Sequence, residues 1–118
     1  MRVMERDLYQ HRPAHPNHAF VVASLMAEAE RGDHEVEALA SSERLIGELE
    51  TADLIVIDTP MHNFTVPSVL KTWIDHVVRP NRTFRSTPEG KVGLLRDRPV
   101  FLVVTCGGEM QQSAVPRR

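Results

Sequence analysis

Two short apolar runs and one amphipathic stretch dominate the pattern of this chain. Leu54-Ile55-Val56-Ile57 lies between Asp53 and Asp58, is rich in β-branched residues and stops at Thr59-Pro60. Val100-Phe101-Leu102-Val103-Val104 repeats the pattern and gives way to Thr105-Cys106-Gly107-Gly108. Continuous apolar runs of this kind suit parallel strands buried on both faces. Between them, Val66, Val69, Leu70, Trp73, Ile74, Val77 and Val78 recur at intervals of three and four, which predicts a helix with one apolar stripe. Thr65 is placed to cap that helix, and Pro67 falls near its first turn, where a missing N–H costs nothing. Strand, helix and strand in this order predict a βαβ unit and hence an α/β fold.

The flanking segments read less sharply. Residues 2–8 mix apolar and charged positions, as the end of a strand would, and residues 11–17 hold Pro13 and Pro16 and read as a loop. Phe20, Val21, Leu25 and Met26 predict a short helix over 19–31, closed by Gly32. Leu39, Leu45, Ile46 and Leu49, with charges between them, predict an amphipathic helix over 35–49. After Gly108 the apolar periodicity ends, so a domain over 1–108 is expected to be followed by an irregular tail over 109–118.

Composition narrows the field. A chain of 118 residues has room for one domain, and a 42% hydrophobic share with 25% charged residues is that of a globular protein. A formal charge of -2 gives no case for a nucleic-acid partner. No apolar run approaches the roughly 20 residues of a membrane span, and residues 1–7 have no secretory core, so a cytoplasmic location is the default. Cys106 is the lone cysteine, which excludes an intramolecular disulfide, and no neighbouring cation marks it as reactive rather than an inert buried thiol. His11, His15 and His18 share a proline-rich loop with no carboxylate or thiol at a standard ligand spacing, so a loop is favoured over a metal site. Trp73 and Phe101 read as core, and His76 as a solvated helix position.

In open α/β sheets, ligands sit beyond the carboxyl ends of the strands. Here those ends are Pro60-Met61-His62-Asn63-Phe64 and Thr105-Cys106-Gly107-Gly108, with a helix start just beyond Phe64. Glycines allow close backbone approach, and a helix start offers free N–H groups, so a planar electron-accepting ring would fit between the two segments. Read without that ring, Gly107-Gly108 is a simple turn and the first segment a helix entry.

At these residues the chain resembles a known family. Residues 52–57 leading into Pro60-Met61-His62-Asn63-Phe64, then Val66-Pro67-Ser68-Val69-Leu70-Lys71-Thr72-Trp73-Ile74-Asp75, are similar to the FMN-dependent NADH-azoreductases, or NADH:quinone oxidoreductases, of the flavodoxin-like superfamily. Thr83-Phe84-Arg85, Glu89-Gly90, Gly93-Leu94-Leu95 and Gly107-Gly108 keep the order and spacing of that family, and Arg6-Asp7-Leu8-Tyr9 resembles the segment after its second strand. The resemblance implies a flavodoxin-like parallel sheet with flanking helices, FMN as cofactor, NADH as reductant, a quinone or azo compound as acceptor, and a homodimer. It implies further that Pro60, Met61, His62, Asn63 and Phe64 pack on the flavin ring, and that the turn of Thr105, Cys106, Gly107 and Gly108 closes on its pyrimidine side. No side-chain nucleophile or base is implied, because the cofactor carries the chemistry.

The departures are informative. Where the family often has a tyrosine this chain has His62, where it has a second aromatic there is Ser86, and its Ser-Arg-Gly-Gly turn is Thr105-Cys106-Gly107-Gly108. A stacking ring and a fixed cation are lost, which bears on substrate choice. The family's first strand with its serine-bearing phosphate loop and its last strand and helices have no counterpart in these residues, so the expected sheet is incomplete. The apolar strand at 54–57 would then present a free edge, and marginal stability, dimerisation or aggregation is expected. A relative that no longer holds FMN and acts as an interaction fragment, or has no function, is the alternative to an enzyme.

Overall fold

The computed structural model describes residues 1–61, 65–106 and 109–113. Helices α1 (His18–Leu25), α2 (Asp33–Ala38) and α3 (Ala40–Thr51) precede strand β1 (Ile55–Pro60); then come α4 (Ser68–Val77), a hairpin of β2 (Phe84–Thr87) and β3 (Gly90–Gly93), and strands β4 (Val100–Cys106) and β5 (Glu109–Ser113). The main sheet has the order β1-β4-β5. Its central fact is the parallel pairing of β1 with β4, in register from Ile55 opposite Val100 to Pro60 opposite Thr105. The βαβ reading of the sequence is therefore correct, and both strands run beyond their apolar cores to Pro60 and Cys106.

Burial on both faces does not hold. Along β1, Ile55, Ile57 and Thr59 are more covered than Val56 and Asp58, the alternation of a strand with one face open. Leu54 is 48% exposed and Val56 59%. Among the described residues no layer lies over that face, and β1 has no partner on its outer edge.

The tail is not irregular throughout. Glu109–Ser113 pairs antiparallel with β4, Leu102 opposite Ser113 and Cys106 opposite Glu109. Strand pairing is made by main-chain groups, so a segment without apolar alternation can still satisfy it. The opposite correction applies to residues 2–8, which form no strand. There the Asp7 carboxylate accepts the N–H groups of Tyr9 and Gln10, at 2.9 and 3.3 Å, which turns the chain instead of extending it. Arg6 pairs with Glu48 on α3.

The helical half also departs from its pattern. The helix expected over 19–31 ends at Leu25, with Met26 extended, and Gly32 stands at the start of α2 rather than at the end of α1. The guanidinium of Arg31 explains the early stop: it donates to Ala23 O at 2.8 Å and Met26 O at 3.0 Å, occupying carbonyls that a longer helix would use. The single helix expected over 35–49 is two, parted at buried Leu39, which packs with Phe20 and Ala23. A second cluster joins α3 to α4 through Leu45, Ile46 and Val77, with Leu49, Trp73 and Leu95 against it, so Trp73 is a core residue as expected.

Helix α4 begins at Ser68 with Pro67 as its cap, not at Thr65. A residue that precedes proline is kept out of the helical region, which holds Val66 extended and excludes an earlier start. Its buried positions include Thr72 and His76, two polar residues one turn apart. His76 is 4% exposed and not a surface residue. Its Nε2 lies 2.6 Å from Ala14 O and its ring stands edge-on to Phe20, 5.1 Å between centroids. Thr72 Oγ1 donates to Ser68 O and meets His15 Nδ1 at 3.2 Å. The loop over 11–17 is thus pinned along one flank of α4, while Trp73 and Val77 pack toward α3.

Arginines close the remaining gaps. Arg79 is 1% exposed and donates to Ser42 Oγ at 3.0 Å and to Glu43 at 2.6 Å. Burial lowers its pKa, and the Glu43 carboxylate opposes that shift. Arg82 reaches Glu43 and grips both oxygens of Glu50 at 3.1 Å. Between these arginines Asn81 takes a left-handed φ of 61°, tolerated by asparagine, and Gly90 at 123° turns the hairpin where a side chain would be strained. At the far end of α3, Arg98 donates to Leu49 O and Ala52 O, placing a cation at the carbonyl end of the helix, and to Arg96 O in the approach to β4.

Two predictions follow from these contacts. Replacing Arg98 by Ala removes a largely buried guanidinium and its bonds to Leu49 O, Ala52 O and Arg96 O and is expected to cost about 2 kcal/mol, whereas Arg96→Ala, which removes an exposed pair with Asp53 and one bond to Ala52 O, should cost under about 1 kcal/mol. Urea unfolding of the two variants measures the difference; equal losses would refute the capping role. The hydrogen bond from Arg82 holds the Glu50 carboxyl below its ordinary value. A carboxyl with a depressed folded-state pKa adds stability above its unfolded value, about 4.3, and loses it as pH falls through the folded value. The stability gap between wild type and Glu50→Gln should therefore be open near neutral pH and close on acidification; a gap constant with pH would count against it.

Candidate functional site

The carboxyl ends of β1 and β4 stand level. Pro60 and Thr105 are register partners, and one residue further on Met61 N–H donates to Thr105 O at 2.7 Å. This bond carries the ladder one step past the strand. Side chains of register partners share a face, so Pro60 and Thr105 form one short row, with Met61 and Cys106 turned the other way. Thr105 is exposed, Met61 is 38% exposed, and Pro60 and Cys106 are half-buried.

Helix α4 runs away from this rim. Pro67 O accepts the N–H groups of Leu70 and Lys71, both at 3.1 Å, and no side chain caps the helix start. The first N–H groups of α4 are left without a side-chain acceptor, with the positive end of the helix dipole behind them. The residues that hold α4 in position are Thr72 and His76 on the loop side, and Arg79 beyond its last turn. There Thr83 Oγ1 donates to Val77 O at 2.7 Å and accepts Arg79 N–H at 2.9 Å.

Of the site residues drawn from the sequence, Pro60, Met61, Thr105 and Cys106 are brought together at one rim by this pairing. His62, Asn63, Phe64, Gly107 and Gly108 lie outside the described residues. Sequence reasoning passed over the residues that hold α4 in position: Thr72, His76 and Arg79 are polar, and on an amphipathic pattern polar positions count as solvated. The signal available was Arg79-Pro80-Asn81, a cation at a helix end followed by a turn. Among the described residues, no three His, Cys, Asp or Glu side chains gather closely enough to hold a metal ion.

Comparison with known proteins agrees with this architecture. The profile of the family described as flavodoxin-like fold matches residues 1–117. The chain belongs to this family. Among flavodoxin-like relatives, the FMN-dependent NADH:quinone oxidoreductase 2 of Cupriavidus pinatubonensis is 65% identical over 108 residues, covering 92% of this chain and 52% of that protein. The FMN-dependent NADH:quinone oxidoreductase of Azotobacter vinelandii is 40% identical over 114 residues, covering 82% of this chain and 57% of its own. In structure, an azoreductase from Bacillus anthracis superposes with a TM-score of 0.78 at 31% identity, covering 90% of this chain and 52% of that one. An FMN-dependent NADH-azoreductase from the same species, solved with FMN, gives 0.72 at 27%, covering 88% and 50%. The resemblance read at the strand ends is thus borne out, and the chain spans about half the length of the relatives it matches. No helix among the described residues is long and apolar enough to cross a membrane.

The rim depends on a main-chain bond more than on a side chain. Met61→Pro deletes the N–H given to Thr105 O and should lower stability by about 1 kcal/mol, while Met61→Ala, which trims a side chain partly in solvent, should cost less than about 0.5 kcal/mol. Paired urea titrations decide this, and a loss in the alanine variant as large as in the proline variant would show that the side chain holds the rim.

Proposed function

We propose that the rim formed by β1 and β4 is the ring side of an FMN site, and that the chain serves an FMN-dependent oxidoreductase passing two electrons from NADH to quinones or azo compounds. The observation that carries this reading is the level pairing of Pro60 with Thr105, extended by Met61, at the carboxyl ends of two parallel strands. Ligands of open α/β sheets sit at that edge. The names of the relatives, and the FMN held by one structural neighbour, support the choice of cofactor.

The described residues fit the ring. Met61 and Thr105 offer partly exposed surface at adjacent strand ends, and the bond from Met61 N–H to Thr105 O holds those ends together. In this reading Pro60, Met61, His62, Asn63 and Phe64 lie along the ring, and Thr105, Cys106, Gly107 and Gly108 close its pyrimidine side. FMN, when bound, supplies the hydride and electron transfer, and the chain orients it and excludes water. A homodimer and a cytoplasmic location belong to the same reading.

A second reading rests on the phosphate end. The start of α4 has free N–H groups, but its cap, Pro67, brings no side-chain donor that would add to a hold on phosphate. A chain with only the ring side would be a fragment that does not retain FMN by itself.

Titration of the purified chain with FMN, followed by quenching of flavin fluorescence, separates the two. Saturable binding in the micromolar range, about 8 kcal/mol, is expected if the rim suffices, together with slower alkylation of the half-buried Cys106 thiol when FMN is present. A folded chain that neither quenches the flavin nor protects Cys106 would overturn the proposal for this chain and leave the second reading.

A further inference from the structure

We draw no further inference here: the strongest candidate, the outer edge of β1 that is free among the described residues together with the open sheet face carrying Leu54 and Val56, carries nothing because nothing in the structure shows what covers it.

Discussion

The parallel ladder between β1 and β4 is the constraint on which everything else rests. It joins segments 45 residues apart in the chain, as the pairing of Ile55 with Val100 requires, and loop closure over that span is costly before any contact rewards it. Once formed, the ladder leaves no freedom in where the strands end. A shift of one residue would turn Ile55, Ile57 and Thr59 out and Val56 and Asp58 in, burying a carboxylate in place of two isoleucines. The alternation of the side chains therefore fixes the register, and the register sets Pro60 beside Thr105.

Helix α4 must then cross back over the sheet, and here polar contacts decide its seat. Leu45, Ile46 and Val77 give α3 and α4 a common apolar contact, but such surfaces slide readily. Ser42 stops the slide by donating to His76 O, and the same hydroxyl accepts from Arg79. His76 in turn ties α4 to Ala14. Buried polar groups cost stability unless satisfied, so each bond admits few alternative positions for the helix. Position is bought here with polar groups, and Arg79 is the clearest case, since burial works against its charge and Glu43 compensates.

How far the sequence foretold this differs from element to element. The two strands and α4 were legible because their apolar runs and helical stripe report directly on packing. The helix boundaries were not: Arg31 ends α1 from six residues beyond its last turn, and Leu39 breaks the next helix through a contact with Phe20, neither of which is a local signal. Strand β5 escaped notice because main-chain pairing with β4 asks nothing of the side chains that periodicity measures. The open face of β1 was hidden for the converse reason, since an unbroken apolar run records what a strand is built to bury and not what lies over it. At the rim, the sequence located Pro60, Met61, Thr105 and Cys106 through their position after apolar runs, yet it could not supply the bond from Met61 N–H to Thr105 O that joins them.

That bond bears on how the departures from the family pattern should act. A rim spaced by main-chain pairing keeps its geometry whatever side chains it carries, because the ladder is indifferent to them. Cys106 and Ser86, where the resembled family carries an arginine and an aromatic, then change local charge and stacking capacity without moving the strand ends. The residues at these strand ends can therefore vary in chemistry while the spacing of β1 and β4 is kept.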